Sequence, residues 1–438
     1  MESVNPYASQ YKNKLCDADA AVAPVGENSL LIYGAMLAEP PALLWAFATR
    51  LRTGDLKQLR IFAGPASSHS IESVLALDLA DCVERESFFV GAGDRGRVQV
   101  GLNYFVPAHF HQLPRMIEEH MQIDVAAAVV SPMDHAGFFT FGVANDFIST
   151  AARCARRLIV EVNEHMPRVN GNSRIHISQV THVVENHSPL PEFPASVPEP
   201  VDEIIGRAIA EMVPDGATLQ LGISNVPTAV GSYLKDHRHL GIHTEFFSPV
   251  MVDLIRAGVV TGERKTLHPR QHLFTIAAGG EDLLDFLHDN PSVESHPVSY
   301  TNHPTVIARH DNMISINAAI EVDLMGQANA EFMDGHQFSG SGGQLDFVRG
   351  AYDSKGGKSI LAFHATARKG TVSRIVPRFE PGTMITTPRN DTHYLVTEYG
   401  VANLKGRSTR DRALAIIGLA HPDFRDGLLR AAEDMYIV

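Results

Sequence analysis

Five prolines, at 189, 191, 194, 198 and 200, crowd the stretch SPLPEFPASVPEPVDE, and neither a helix nor a central strand can run through them. A chain of 438 residues is also too long for one ordinary core, so a division near its middle is expected. The spacing predicts an N-terminal domain over 1–190 and a C-terminal domain over 201–438. Directly after the prolines, Ile204, Ile205, Ala208, Ile209 and Met212 recur at helical spacing and Pro214-Asp215-Gly216 stops the run, which predicts a helix with those five residues on its buried face.

Both halves then alternate short apolar runs with amphipathic segments. DVAAAVVS, RRLIVEVN and RIHISQV read as strands in the first half; TLQLGIS, GIHTEFF, MISINAAI, SILAF and HYLVTEY do so in the second. Apolar runs of this length separated by helical patterns belong to parallel sheets covered on both faces, so each half is expected to be α/β. No period of 20–50 residues is visible, which excludes a solenoid or propeller. The terminal stretch RDRALAIIGLAHPDFRDGLLRAAEDM reads as a helical cap.

Charge and composition remove whole classes of function. A net charge of -13 opposes binding to a phosphate backbone, which needs a surplus of Lys and Arg. The opening residues MESVNPYASQYKNKL lack the apolar core of a signal peptide, and no run approaches the ~20 apolar residues of a membrane span. A cytoplasmic protein with no nucleic-acid or membrane partner is expected. Cys16, Cys82 and Cys154 form no CxxC pair and read as reduced and structural. His268 and His272 stand four apart in HPRQH, but no Glu accompanies them and Pro269 interrupts any helix, so no metal site is expected.

Three stretches could carry chemistry. Gly335 to Gly357, GHQFSGSGGQLDFVRGAYDSKGG, holds seven glycines, whose exposed amides could cradle a phosphate or an oxyanion; a flexible surface loop fits the composition equally. From Gln344 to Arg378 there are seven basic residues, Arg349, Lys355, Lys358, Arg368, Lys369, Arg374 and Arg378, against Asp346 and Asp353 alone. That local surplus in an acidic chain points to a small polyanion or to a solvated basic face. In LGIHTEFFSPVMVDLIRAG, Leu240 to Phe247 reads as a strand, Ser248 as an N-cap, Pro249 as the first helical residue and Gly258 as the stop. Glu245 thus falls near a strand's carboxyl end and before a helix N-terminus, where ligands bind in open α/β sheets; a salt-bridged or exposed Glu is the alternative. Last, TLQLGISNVPTAVGSYL runs from a strand through Gly222-Ile223-Ser224-Asn225-Val226 into a helix, either an ordinary turn or a phosphate and amide site.

Taken together, these stretches resemble the acetyl-CoA hydrolase/transferase family, the class I CoA-transferase branch that includes 4-hydroxybutyrate, butyrate and itaconate CoA-transferases. The resemblance rests on DVAAAVVSPMDHAGFFTFGV, VEVNEHMPRVNGNSRIHISQV, LQLGISNVP, GIHTEFF, EVDLMGQ, SGSGGQLDFVRGA, HYLVTEYGVANLKGRS and IIGLAHPDFR, and so covers nearly the whole chain. It implies two open α/β domains of the class I CoA-transferase type, the second carrying the nucleophile. It makes Glu245 of the HTE motif that nucleophile, assigns CoA binding to Gly222, Ile223, Ser224, Asn225 and Val226, and gives the SGSGG loop, with Gly340, Gly342 and Gly343, CoA contacts and an oxyanion donor. Lys369 in ARKGTVSR looks like the family's CoA-contacting lysine. His109, His111 and Arg115 in VPAHFHQLPRM fall where the family places its first domain's ligand face and could hold the second carboxylate of a dicarboxylic acid; three exposed polar residues at a helix start are the alternative.

The implied activity is transfer of CoA between an acyl-CoA and a short-chain carboxylate in ping-pong fashion, with succinyl-CoA and itaconate as one pair. The CoA thioester is a substrate, and no permanently bound cofactor is implied; the family suggests homodimers or homotetramers. Ser224, Val226 and Ser248-Pro249-Val250 depart from the family's usual Gly, Ile and Ser-Asp-Gly, which sets the acyl pocket apart from a simple acetate or butyrate site. Acetyl-CoA-dependent 4-hydroxybutyrate or butyrate transfer, hydrolysis, and a non-catalytic CoA-binding protein are the competing readings.

Overall fold

The computed structural model describes residues 6–193 and 196–438; residues 1–5 and Pro194 of the proline cluster lie outside them. The chain divides into two compact units, Met1–Pro194 with Leu273–Tyr300, and Ala195–His272 with Thr301–Val438. The proline stretch is where the first changeover falls. The return of Leu273–Tyr300 to the first unit differs from the single boundary expected above, and no local sequence signal marks it.

Counting only the strands of the two main sheets, the first unit contributes β1 (Ser29–Tyr33), β2 (Leu59–Ala63), β3 (Val83–Ser87), β4 (Tyr104–Phe105), β5 (Val125–Val130), β6 (Arg157–Val162) and β7 (His182–Glu185). They form one sheet in the order β7-β6-β5-β1-β2-β3-β4, parallel throughout. Every residue of β1 and of β5 is buried, as a sheet covered on both faces requires. The order reverses between β1 and β5, a doubly wound switch point.

Loops at the carboxyl ends of β1, β2 and β3 are knitted by buried charge. The fully buried Arg85 guanidinium lies 3.2 Å from Asp94 Oδ1 and donates to Gly64 O at 2.6 Å and to the Tyr33 hydroxyl at 3.2 Å. Asp94 Oδ2 accepts from the Ala66 amide at 2.8 Å, so one ion pair fixes several loop ends. Directly after β1, Met36 takes a left-handed φ of 56° at the switch point, strain that an unbranched side chain tolerates only in an over-determined loop.

The second unit adds β8 (Thr218–Leu221), β9 (Gly241–Ile242), β10 (Met313–Ala318), β11 (Lys358–Ala362), β12 (Tyr394–Thr397) and β13 (Gly400–Asn403). Their order is β9-β8-β10-β11-β12-β13, parallel except for the closing β12–β13 hairpin. Four helices matter for the site: α1 (Pro200–Ala210), α2 (Asn225–Tyr233), α3 (Pro249–Arg256) and α4 (Gln344–Asp353). Each unit is therefore α/β with a parallel sheet.

Local readings change in four places. On α1, Ile205 and Ile209 are buried but Ile204 is 54% exposed, because the apolar stripe is narrower than the run of isoleucines suggests. RIHISQV is a strand only over Arg174–His176, since the His176 ring accepts from Ser178 N and starts a 3-10 turn. The terminal cap is two helices, Thr409–Gly418 and Pro422–Asp434, the second starting with Pro422 at its first position. The glycine-rich stretch is half helix: α4 begins immediately after Gly343 and contains Gly350.

Candidate active site

GIHTEFF is not one strand. Pairing ends with the His243 amide donating to Leu219 O, and the Thr244 hydroxyl then bonds Phe246 O at 3.0 Å, turning the chain before a second short strand at Phe246–Phe247. Glu245 stands in that break, half-buried, three residues beyond β9 at the carboxyl edge of the sheet. This is the sheet edge expected for it, reached by an interruption that a run of β-prone residues conceals.

Two other segments converge on its carboxylate. Asn302 Nδ2 donates to Glu245 Oε2 at 2.5 Å, and the amide must be oriented this way because its oxygen would repel the carboxylate. Gly343 lies against the same oxygen: a Cβ there would overlap both Glu245 Oε2 and Asn302 Nδ2. Close backbone approach thus explains the glycine, whose φ of -93° any residue could adopt. The packing that brings these segments together is legible in Gly350, where a Cβ would meet Ile307 Cβ at 2.5 Å, so α4 presses directly on the short helix Pro304–Ala308 that follows Asn302. Ile307, Met313, Phe347 and Ala351 close this contact as a small buried cluster.

Gly343 is the N-cap of α4, a helix of ten residues, so the positive end of its dipole lies beside the Glu245 carboxylate. The sequence pointed instead to α3, which follows Glu245 in the chain. Ser248 does cap α3, but through its backbone alone, with no side-chain bond to the first turn.

The remaining candidates are placed as follows. Gly222, Ile223 and Ser224 leave β8 as an exposed or half-exposed turn, with the Gly222 amide donating to Ile316 O and Ser224 at the N-cap of α2. Asn225 is half-buried in the first turn, whereas the Val226 side chain is only 6% exposed and belongs to the core. Gly340 and Gly342 are buried with Gly343, and Gly342 has a φ of 49°. Lys369 is exposed at the tip of a hairpin between Thr366–Ala367 and Val372–Ser373, where both Arg368 and Lys369 hold left-handed φ values of 48° and 58° without being glycine. Strain of this kind gathers at ligand sites.

The basic run is dispersed rather than one patch. Arg349 pairs with Asp391 at 3.1 Å, Lys358 donates to Met212 O at 2.6 Å, and Arg368 lies 3.6 Å from Asp334. In the first unit, His109 and His111 follow the edge strand β4, not the switch point, and their rings stack 6.2 Å apart at 12°. Arg115 is 78% exposed and donates to Glu119 at 2.9 Å, so its guanidinium is turned to its own helix. Among the described residues no group of three His, Cys, Asp or Glu side chains could hold a metal ion, and no helix is long and apolar enough to cross a membrane.

Sequence reasoning missed Asn302 and the histidines beneath it. TNHP does announce a helix start, since Pro304 takes the first helical position, but nothing local ties Asn302 to a Glu 57 residues away.

Two family profiles match the chain: the acetyl-CoA hydrolase/transferase N-terminal domain over residues 2–194 and its C-terminal domain over residues 279–432. The chain belongs to the acetyl-CoA hydrolase/transferase family. Glu245 falls between the two matched spans, but relatives align across it. Succinyl-CoA:cyclohexane-1-carboxylate CoA transferase from Geobacter metallireducens is 40% identical, with 99% of each chain covered. 4-Hydroxybutyrate coenzyme A transferase from Clostridium kluyveri is 41% identical over 96% of this chain and 97% of its own. Among solved structures, RipA from Yersinia pestis shares 48% identity with a TM-score of 0.95, covering 98% of this chain and 99% of its own.

Proposed function

We propose that this CoA-transferase moves CoA between a short-chain acyl-CoA and a free carboxylate through a thioester on Glu245. The observation that carries the reading is the Glu245 carboxylate, held by Asn302 and pressed against the N-cap of α4. A carboxylate is a poor nucleophile in water, so orientation and partial desolvation must supply much of the acceleration. In the scheme, Glu245 attacks the acyl-CoA carbonyl, CoA thiolate leaves, and a mixed anhydride forms. The thiolate then attacks the Glu245 carbonyl, expelling the donor acid and leaving glutamyl-CoA. An acceptor carboxylate attacks that thioester, releasing the thiolate, which takes the acceptor's acyl group and frees Glu245. Atoms and charge balance at every step without a redox partner.

The Gln344 amide is taken up by Ser341 O at 3.1 Å, which makes the amides of Gly342 and Gly343 the proposed oxyanion donors. Gly222 to Asn225, the Val226 main chain, Gly340 and Lys369 are assigned to CoA. The CoA thioester is a substrate, and no permanently bound cofactor enters the scheme. A cytoplasmic homodimer or homotetramer completes the proposal.

For the acids, the pair proposed is succinyl-CoA and itaconate. Support for a succinyl donor comes from the Geobacter relative, a succinyl-CoA:cyclohexane-1-carboxylate CoA transferase. A panel of itaconate, succinate, acetate, butyrate and 4-hydroxybutyrate as acceptors tests it. Itaconate is expected to lead; equal or faster turnover with the monocarboxylates rejects the dicarboxylate assignment. Glu245→Gln is expected to abolish transfer, and retained transfer would reject the nucleophile.

A further inference from the structure

Beneath Glu245 lie two fully buried histidines that the scheme above does not use. His243 Nε2 is 2.7 Å from the carbonyl oxygen of Thr301, and His310 Nε2 is 3.1 Å from His243 Nδ1. A carbonyl only accepts, so His243 must carry its proton on Nε2. Burial pushes His243 well below its ordinary value and His310 down to about 3, with the charge of Lys265 adding to both, so both rings are neutral. His243 Nδ1 is then an acceptor, and His310 donates to it through Nε2–H. The relay has one direction: His310 to His243 to Thr301 O.

Its placement closes a ring. His243 is two residues before Glu245, and Thr301 is one residue before Asn302, whose amide holds the Glu245 carboxylate. The segment bearing Glu245 and the segment bearing its partner are therefore fastened twice, once at the carboxylate and once beneath it. We propose that His243 is a positioning residue that locks Asn302 against Glu245, and that His310 fixes the tautomer of His243 that does so. The proposal rests on Glu245 being the nucleophile. The surroundings hold the ring in place: Lys265 Nζ is tied to Ile242 O at 2.8 Å and to Gln271 O at 2.5 Å, and the Ser354 hydroxyl fastens His310 O at 2.5 Å.

The test compares full-length His243→Phe, His310→Phe and His310→Gln with the parent in steady-state transfer and in single-turnover formation of the Glu245 thioester. Phe keeps ring volume and removes the bonds; Gln at 310 can still donate. Expected is a fall of about 100-fold in kcat for His243→Phe with KM for acyl-CoA changed less than about threefold, the signature of misplaced reacting groups. His310→Phe should lose about tenfold, and His310→Gln should recover most of it. Parent-like kcat in His243→Phe overturns the proposal. So does equal loss in both His310 variants, which would mark simple packing. Glu245→Gln run alongside separates the cases: if it still transfers CoA, the nucleophile assignment fails; if it does not while His243→Phe is unimpaired, only the positioning role fails. Should His243→Phe not fold, the His310 pair alone decides.

Discussion

Gly343→Ala isolates the contact between the glycine loop and the nucleophile. The backbone at 343, with φ -93° and ψ 8°, accepts alanine without strain, so the added methyl acts only through what it touches. It would overlap Glu245 Oε2 and Asn302 Nδ2 and sit 3.0 Å from Glu245 Cδ, all inside ordinary contact distance. Neither neighbour can yield without parting the other, because they are bonded to each other. The carboxylate must retreat by roughly 1 Å, and a misplacement of that size costs about 100-fold in rate, or ~2.7 kcal/mol of barrier. The cost to folding is smaller, about 1 kcal/mol or less for alanine at a helix N-cap. Single-turnover formation of the Glu245 thioester from acyl-CoA, paired with thermal unfolding of the same sample, measures both. Parent-like rates in a folded Gly343→Ala protein would refute the close approach from which the site has been built.

Three further outcomes follow from buried charge. Asp94→Ala leaves Arg85 charged, fully buried and without its carboxylate, so denaturant unfolding should show a loss of about 3–5 kcal/mol. Burial pushes the Asp146 carboxyl from 3.8 up to about 7, so the folded chain keeps a proton that the unfolded chain releases, and stability falls as pH rises between those values. Asp146→Asn should therefore be more stable than the parent at pH 8, on the order of 4 kcal/mol at most, with the gain vanishing near pH 4; an equal difference at both pH values contradicts this. Burial holds His272 and His310 down to about 3 and His393 to about 4, so their stabilisation is complete above 6.5 and is lost as pH falls toward those values. Tm should drop between about pH 6.5 and 4, and less steeply in His272→Leu.

The strand Val125–Val130 was legible because a parallel strand buried on both faces reads as one continuous apolar run; Ser29–Tyr33, equally buried but opened by Ser29 and closed by Tyr33, was not read as a strand. Lys369 was singled out by the basic run and the family resemblance and not by the hairpin tip it occupies, whereas the turn from Gly222 could be singled out because strand-to-helix turns carry local punctuation. The geometry around Glu245 could not. Its strand is interrupted by a Thr244 hydroxyl bonding its own backbone, a choice β-propensity does not register. Its partners Asn302 and Gly343 reach it through packing of α4 on Pro304–Ala308, and that depends on Gly350 having no side chain. Half of the glycine stretch, read as loop, became the helix whose N-cap meets the carboxylate. Likewise, a surplus of lysine and arginine along the chain did not become a surface patch, because Arg349 and Lys358 are bound elsewhere.

The most direct test of the account is intact-protein and peptide mass measurement after mixing the protein with succinyl-CoA and no acceptor. A CoA adduct on the peptide containing Glu245, discharged by a carboxylate acceptor and replaced by a reduced residue after borohydride, is the predicted result. An unmodified Glu245 peptide under conditions where transfer proceeds at its full rate would contradict it.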